Sequence, residues 1–281
     1  MEPLQAHRNL FAELLTAMAG APDSPLTAAF RATSREHYLG PGPWKIFHGR
    51  GYTQTPTADP SLLYQDVVVA LETERGINNG QPSLHARCLA ALNVKEGETI
   101  VHIGAGGGYY TAILAALTSA SGKVFALEVD EHLARRAALN LAHLSQVTVM
   151  ARSGAEGSIP ESDVIYVSAG ATAPLDCWLD ALRPSGRLLF PLTPEAAGGR
   201  PGMGNMLLVT RVADQSFHAQ FICPVMFIPC VGGRDEETGK KLAAAFQGGR
   251  TSEVRSLRRN TPPDASCWCS GIGWWLSTAA A

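Results

Sequence analysis

The stretch from Glu98 to Asp130 constrains the fold of this chain more than any other part of its sequence. In order, it holds a β-branched run (Thr99–Ile103), a glycine-rich turn (Gly104–Gly108), an alanine- and leucine-rich run (Tyr110–Leu117) and a second β-rich run (Val124–Leu127) that ends on Glu128. Short β-branched runs favour buried strands, and the spacing of alanine and leucine favours a helix. The order strand, glycine turn, helix, strand and acidic residue predicts the first half of a doubly wound nucleotide-binding sheet.

The spacing of the glycines distinguishes between a dinucleotide and other ligands that such a turn could bind. Glycine lets the backbone turn sharply and lets a ligand approach closely, and an acidic side chain after the second strand can bind ribose hydroxyls. A dinucleotide site favours a small residue at the position that Tyr109 occupies here. The spacing Gly104-x-Gly106-x-Gly108 instead resembles the turn that binds S-adenosylmethionine (SAM) in class I methyltransferases. A βαβ turn without a ligand and a nicotinamide-dependent oxidoreductase are the alternatives.

Composition limits the partners that we expect. The 281 residues carry a net charge of −2 without a basic block, so no nucleic-acid partner is expected. We interpret Arg255, Arg258 and Arg259 as part of a solvated strand face. No apolar run reaches the length of a membrane span and no export signal is visible, so we expect a cytoplasmic protein without a membrane partner. No cysteine pair has CxxC spacing, which predicts a reduced protein without a structural metal; the six cysteines are Cys88, Cys177, Cys223, Cys230, Cys267 and Cys269.

Further elements are predicted around the central unit. Helices are expected over residues 4–19, 25–30, 82–92, 131–144, 174–182 and 236–246, and strands over 64–71, 147–150, 163–168, 187–191, 206–212, 217–228, 254–257 and 274–276. Five apolar residues of the first helix are expected on one face of it, namely Leu10, Phe11, Leu14, Leu15 and Met18. Residues 40–60 are predicted to be irregular, with Trp44 and Phe47 as packing anchors. Trp274 to Leu276 is interpreted as core packing.

The alternation of strands and helices predicts the α/β class: a doubly wound, mostly parallel, seven-stranded sheet of Rossmann-like methyltransferase type. We expect three parts: an N-terminal helical and loop cover (1–60), a SAM-binding domain (61–234) and a C-terminal extension packed on that domain (235–281). Ligands of such sheets bind beyond the carboxyl ends of the strands. That rule brings Glu128, Ser153 and Ser168 to the same edge as the glycine turn.

Several sequence blocks occur in an order that is typical of one family. They are Phe30-Arg-Ala-x-x-Arg35-x-x-Tyr38, Tyr64-Gln-Asp, Gly80-Gln-Pro-Ser-Leu-His85-Ala, Ile103-Gly-Ala-Gly-Gly-Gly-Tyr109, Leu182-Arg-Pro-Ser-Gly-Arg-Leu-Leu-Phe-Pro-Leu192 and Val225-Met-Phe-Ile-Pro229. Together they resemble the protein-L-isoaspartate O-methyltransferase family, up to about residue 235. The resemblance implies a class I methyltransferase fold, SAM as cofactor, and a peptide, protein or small-molecule methyl acceptor.

The resemblance also assigns roles to residues. It implies that Gly104, Ala105, Gly106 and Gly108 hold the methionine part of SAM, that Glu128 binds its ribose, and that Ser153 lies near its adenine. The further SAM contacts that we predict are Ile77, Asn78, Asn79, Gly80, His85, His102 and Ser168. His85 is also the candidate catalytic residue. For His85, a histidine on the surface of a helix is the equally weighted alternative.

The chain departs from the family pattern at three places. Gly80 stands where the family has a catalytic serine, His102 stands where an acidic residue usually precedes the first glycine, and Arg152-Ser153-Gly154 stands where the family has Gly-Asp-Gly. The first departure affects isoaspartyl specificity, and the other two alter the edge of the SAM pocket. A neutral His102 would suit a positively charged cofactor, and a histidine can be neutral near pH 7.

The favoured function is a SAM-dependent O-methyltransferase whose acceptor is a carboxylate or similar group, with altered specificity. A carboxylate needs no general base at neutral pH, and the sequence offers no compelling base. The alternatives are a non-catalytic SAM-binding or scaffold protein, a methyltransferase of a small molecule or peptide natural product, and the oxidoreductase. The oligomeric state and the role of residues 236–281 stay open.

Overall fold

The structure, a computed structural model, describes residues 3–196, 200–213 and 215–281. The chain divides into two compact units. Unit 1 comprises Met1–Glu98 and Ala105–Arg152, and unit 2 comprises Thr99–Gly104 and Ser153–Ala281. The boundaries predicted at residues 60 and 234 stay a prediction.

The described elements follow the predicted alternation. The helices are α1 Pro3–Met18, α2 Pro25–Ala32, α3 Arg35–Leu39, α4 Pro82–Leu92, α5 Tyr109–Thr118, α6 Glu131–Leu141, α7 Asp176–Asp180 and α8 Glu236–Gln247. The strands are β1 Lys45–Phe47, β2 Tyr52–Gln54, β3 Ala70–Glu72, β4 Ile77–Asn78, β5 Thr99–Ile103, β6 Lys123–Glu128, β7 Val147–Ala151, β8 Ser162–Val167, β9 Leu182–Leu192, β10 Glu195–Ala196, β11 Arg200–Pro201, β12 Gly204–Ala213, β13 Ser216–Val225, β14 Ser256–Arg259, β15 Cys267–Gly271 and β16 Trp274–Ser277. The strand, turn, helix and strand around the glycines are therefore confirmed. The helix predicted over 174–182 is only five residues long.

Unit 2 is built on a sheet of order β15-β16-β14-β13-β12-β9-β8-β5. The pairs β5–β8 and β8–β9 are parallel, whereas β9, β12, β13, β14, β16 and β15 follow one another in antiparallel pairs. The predicted antiparallel pair of β12 and β13 is confirmed. The predicted total of seven strands is not confirmed, because the sheet of this unit alone contains eight described strands. The late strand Trp274 to Leu276 is buried, as expected.

Unit 1 holds the parallel pair β6–β7 and two small antiparallel hairpins, β1–β2 and β3–β4. The helix α5 is apolar and buried along most of its length, whereas α6 buries only one face. Trp44 is buried, as predicted, but Phe47 is 40% exposed and does not anchor the loop.

The apolar face predicted for α1 is only partly buried. Phe11 and Leu15 are buried, but Leu10, Leu14 and Met18 are 55 to 57% exposed. The three exposed residues are four apart and therefore form one stripe, displaced around the helix from the stripe that holds Phe11 and Leu15. Contacts from α2 and α4 reach α1, and its apolar arc is wider than the face that becomes buried.

The strand predicted over residues 64–71 is wrong for most of its length, because only Ala70–Glu72 is a strand. The reason is Arg35, which is fully buried. Its guanidinium donates hydrogen bonds to the carbonyl oxygens of Leu63 (2.5 Å), Gln65 (3.0 Å) and Val67 (2.6 Å). These carbonyls thus find a side-chain donor instead of a strand partner, which satisfies the backbone by another route.

The solvated face expected for the late arginines is wrong at Arg259, which is 8% exposed and paired with two aspartates. Among the described residues, no disulfide joins any of the six cysteines. Within the described ranges, no helix is both long and apolar enough to cross a membrane.

Candidate active site

The acidic residue after β6 is tied directly to the glycine turn. The Gly106 N–H donates to Glu128 Oε2 at 2.7 Å, and the Asp130 N–H donates to Glu128 Oε1 at 3.0 Å. The Ala105 N–H donates to the Leu127 carbonyl at 3.3 Å. Glu128 is 7% exposed. Its carboxylate is thus fixed by two backbone donors, and each oxygen keeps acceptor capacity for a ligand hydroxyl.

The turn needs glycine at alternating positions. Gly104, Gly106 and Gly108 have φ values of 78°, 55° and 93°, and side chains are disfavoured at such angles. Gly108 is the N-cap of α5 and supplies no side-chain cap, so N–H groups of the first turn keep donor capacity.

Position 109, where a dinucleotide site favours a small residue, is filled by a buried aromatic ring. The Tyr109 ring lies 5.8 Å from that of Tyr38 and 6.5 Å from that of Phe30. The start of α5 is therefore fixed by aromatic packing, which agrees with the expectation that this turn does not serve a dinucleotide.

The segment before α4 approaches the same turn. A Cβ added to Gly106 would lie 3.1 Å from Leu71 Cδ1, and Leu71 belongs to the β3 strand that pairs with β4. The side chain of Asn78 accepts from the Gly80 N–H at 2.9 Å. Asn79 exchanges hydrogen bonds with the backbone of Val69, through its own N–H and through Oδ1. Its buried Nδ2 has no hydrogen-bond partner among the described residues.

Asp66 holds the first turn of α4. Its carboxylate accepts from the Ser83 N–H (2.8 Å), from Ser83 Oγ (2.6 Å) and from Gln81 Nε2 (2.8 Å). An anion at a helix N-terminus is stabilised by the free N–H groups there. Asp66 belongs to the family block Tyr64-Gln-Asp, but its role could not be predicted from the sequence alone. The sequence pattern that could have indicated this role is an acidic residue upstream of a helix that begins with proline. That pattern predicts a contact only when the two segments are already known to lie together.

His85 is 2% exposed, so the alternative of a surface histidine is wrong. Its imidazole stacks on the Tyr110 ring at a centroid distance of 3.6 Å and an interplanar angle of 7°. Tyr110 is the second residue of α5, directly after the glycine turn. This partner was missed from the sequence, because nothing in the pattern distinguished Tyr110 from the apolar residues that follow it.

Unit 2 contains the other predicted residues. His102 is 1% exposed, its Nε2 shares a hydrogen bond with Ser168 Oγ (3.1 Å), and its ring stacks on Tyr166. Burial lowers the pKa of His102 to about 3, so the imidazole is neutral at pH 7, as expected. A Cβ on Gly104 would lie 3.3 Å from the Ser168 carbonyl oxygen, so Gly104, His102 and Ser168 are neighbours.

Within unit 2, the Ser153 hydroxyl is hydrogen-bonded to backbone groups. Its Oγ accepts from the Ala155 N–H at 3.1 Å and donates to the Val231 carbonyl at 3.4 Å. No group of three or more His, Cys, Asp or Glu side chains that could hold a metal occurs among residues 3–196, 200–213 and 215–281.

The residues of unit 1 fit SAM chemically. A SAM ribose offers two hydroxyl donors, and Glu128 offers a fixed, largely buried carboxylate. The SAM carboxylate needs hydrogen-bond donors, and Asn79 Nδ2 is a buried donor without a partner among the described residues. Together with the α/β fold, this arrangement defines a class I SAM-dependent methyltransferase.

The family is shown by a model of protein-L-isoaspartate(D-aspartate) O-methyltransferases that matches residues 47–235. The chain belongs to this family, whose members use SAM as methyl donor. It is 29% identical over 220 residues to protein-L-isoaspartate O-methyltransferase of Brucella anthropi, covering 76% of this chain and 89% of the relative. It is 31% identical over 156 residues to that of Methylorubrum populi, covering 54% and 69%.

A solved structure shows the same fold. It is a Plasmodium falciparum protein assigned as a protein-L-isoaspartate O-methyltransferase, in complex with S-adenosyl-L-homocysteine. The TM-score is 0.62 at 17% identity, over 80% of this chain and 98% of that chain. The match of the family model ends at residue 235, where the sequence resemblance was expected to end.

Proposed function

We propose that this methyltransferase O-methylates the side-chain carboxylate of isoaspartyl residues in peptides or proteins, with a preference among acceptors that Gly80 alters. The observation that carries the proposal is the family match over residues 47–235, which includes the whole glycine turn and Glu128. The relatives named above are protein-L-isoaspartate O-methyltransferases.

We assign the SAM contacts of unit 1 as follows. Glu128 binds the ribose hydroxyls, Asn79 donates to the SAM carboxylate, and the backbone of Ala105, Gly106 and Gly108 surrounds the methionine part. Ile77 and Asn78 belong to the β3–β4 hairpin, which lies against Gly106 through Leu71. Gly80 is held by the Asn78 side chain, and His85 stacks on Tyr110 directly after the turn, so we place both in the same region. The roles predicted for His102, Gly104, Ser153 and Ser168 of unit 2 stay predictions.

Methyl transfer to a carboxylate requires that the protein position the two substrates, and it requires no proton transfer. Bound SAM supplies a methyl group that is activated by a positive sulfur. A carboxylate acceptor is ionised at neutral pH and attacks without a base. The chain therefore has to orient the acceptor in line with the methyl group and to exclude water.

Methyl transfer can be tested directly with methyl-labelled SAM and two peptides that differ only in carrying isoaspartate or aspartate. The proposal expects base-labile label on the isoaspartyl peptide and none on the aspartyl peptide. If SAM binds by calorimetry but neither peptide is labelled, the chain is a SAM-binding protein without this activity or acts on another acceptor. The cytoplasmic location and the absence of nucleic-acid and membrane partners stay predictions.

A further inference from the structure

A hairpin of unit 1 lies on the glycine turn and reaches the start of α6. It runs from β3 through the short 3₁₀ turn Thr73–Arg75 to β4, and we call residues 70–78 the strap. A Cβ added to Gly106 or Gly107 would lie 3.1 Å or 3.8 Å from a methyl group of Leu71. The strap therefore packs on the turn that the proposed function assigns to SAM.

Side-chain pairs join the tip of the strap to α6. Arg75 forms an ion pair with Asp130, the N-cap of α6. His132 Nδ1 lies 3.2 Å from Glu72 Oε1. Burial lowers the pKa of Arg136, and the negative charge of Glu72 opposes this shift, so Glu72 also faces a cation of that helix. The strap and the first turns of α6 are thus complementary in charge.

Asp130 connects this contact to the ribose site. Its backbone N–H donates to Glu128 Oε1, and its side chain pairs with Arg75 while accepting from the Leu133 N–H at 2.8 Å. The pKa of Arg75 is raised, first by Asp130 and further by the charges of Glu72 and Glu128. The tip of the strap therefore lies close to the carboxylate to which the proposed function assigns the ribose.

The two anchors assigned to SAM lie at opposite ends of the strap. Asn79, assigned to the SAM carboxylate, directly follows β4 at the base of the hairpin. Glu128, assigned to the ribose, is linked to the tip through Asp130. Leu71 packs on the turn between them. A ligand that is held by both anchors is spanned by the strap from base to tip.

We propose that the strap gates the entry and exit of SAM and S-adenosylhomocysteine, and that Arg75 latches it closed against Asp130. This inference rests on the SAM contacts of the proposed function and deepens it. In this role Arg75 touches neither the ligand nor the acceptor, so it is a positioning residue. Because the latch joins two parts of the chain and needs no ligand, loosening it speeds entry and exit alike.

The exposure of the latch limits its strength. The Arg75 side chain is 58% exposed and that of Asp130 is 13% exposed, and water weakens ion pairs at such sites. The latch thus biases the strap toward the closed position without locking it. We expect Arg75→Gln to raise both the association and the dissociation rate constant of S-adenosylhomocysteine about threefold, and to leave Kd nearly unchanged.

The first measurement titrates 15N-labelled protein with S-adenosylhomocysteine, and the line shapes give both rate constants. Arg75→Lys keeps the cation and should behave as the parent does. Arg135→Gln, at an exposed arginine of α6, removes the same charge and is the matched control. Equal rate constants in Arg75→Gln and the parent would overturn the inference. A weaker affinity with unchanged association would also overturn it, because Arg75 would then be a ligand contact.

The second measurement follows hydrogen exchange of residues 71–78 in the ligand-free protein. Raising the salt concentration from about 0.05 M to about 0.5 M should speed this exchange in the parent, because salt screens exposed ion pairs. Arg75→Gln should exchange faster at low salt and respond less to added salt. Exchange that is insensitive to salt in the parent would contradict the latch, even where Arg75→Gln fails to fold.

Methylation assays separate this inference from the proposed function. Rate constants that respond to Arg75→Gln, without labelling of the isoaspartyl peptide, keep the gate and reject the proposed reaction. Labelling of that peptide, with rate constants that do not respond, rejects the gate alone. The absence of both effects rejects both.

Discussion

Glu128 Oε2 accepts a hydrogen bond from the Gly106 N–H at 2.7 Å, and this bond joins the end of β6 to the turn before α5. The second carboxylate oxygen accepts from Asp130 at 3.0 Å. The side chain is thereby oriented before any ligand arrives, which lowers the ordering cost of binding.

Glu128→Gln should weaken SAM binding by 10- to 100-fold, because a hydrogen bond to a charged group contributes about 1.5–3 kcal/mol. Calorimetric titration with S-adenosylhomocysteine measures this affinity. Glu131→Gln, on an exposed carboxylate in the first turn of α6, is the control and should bind as the parent does. Equal affinities of Glu128→Gln and the parent would show that the ribose lies elsewhere.

His102 should make the fold sensitive to acid. Its folded-state pKa of about 3 lies below the ordinary value of 6.5, so below pH 6.5 the unfolded chain takes up a proton that the folded chain does not. Above pH 6.5 neither state binds this proton, and the free energy of unfolding is unaffected by it. As the pH falls from 6.5 toward 3, only the unfolded chain gains the proton, so the free energy of unfolding declines. At pH 5 the loss is roughly 2 kcal/mol.

Urea unfolding at pH 7.5 and pH 5.0 measures that loss. His102→Gln cannot titrate, so the difference in the free energy of unfolding between the two pH values should be smaller by about 2 kcal/mol than in the parent. His48→Gln, at an exposed histidine, should keep the parental difference. The same pH dependence in parent and His102→Gln would mean that His102 is not kept neutral by burial.

Arg35 should be a large contributor to the stability of unit 1. Arg35→Met leaves three backbone carbonyls of residues 63–67 without their donor, and each unpaired buried group costs about 1–3 kcal/mol. We expect the free energy of unfolding to fall by about 3 kcal/mol or more, with faster hydrogen exchange in residues 63–69. Arg87→Met, on the exposed side of α4, should change neither quantity by much. Slow exchange in that segment of Arg35→Met would contradict the role assigned to the guanidinium.

Arg259 should fix the C-terminal strands of unit 2 to α7. Its guanidinium donates to Asp176 Oδ1 and Asp180 Oδ1, each at 2.6 Å, and its side chain is 7% exposed. Replacing both aspartates by asparagine leaves this cation without a counter-charge. Because the two carboxylates are 81% and 64% exposed and water screens them, we expect a loss of only about 1 kcal/mol in thermal or urea unfolding. Arg259→Met in the same background should restore part of that stability. Additive losses would argue against a shared ion pair.

Local patterns predicted the part of the fold where one segment determines its own conformation. The turn from Gly104 to Gly108 is an example, because positive φ angles demand glycine whatever surrounds them. The strand predicted over residues 64–71 failed because a buried side chain from a distant helix, Arg35, satisfied its carbonyls. The exposure of one stripe of α1 was not predictable, because an apolar arc does not reveal how much of it the neighbouring helices will cover.

The candidate site likewise has features that the sequence predicts and features that depend on packing between distant segments. Glu128 was predicted from its place after a strand, and its carboxylate does meet the glycine turn. The stacking of His85 on Tyr110 and its overlap with the space of Gly80 were not predictable, because both depend on side-chain packing between segments. The sequence indicated that a hydroxyl is absent at position 80 but not that another polar group fills its place.

The division of the chain also bears on its synthesis. Neither unit is one continuous stretch, since β5 belongs to unit 2 but lies between two segments of unit 1. The Thr99 N–H finds its acceptor on Asp163, which is 64 residues later in the chain. On the ribosome, β5 therefore leaves the exit tunnel well before its partner β8 exists, and chaperones that bind exposed apolar strands would meet it in that interval. For the same reason, no single proteolytic cut or truncation releases either unit intact.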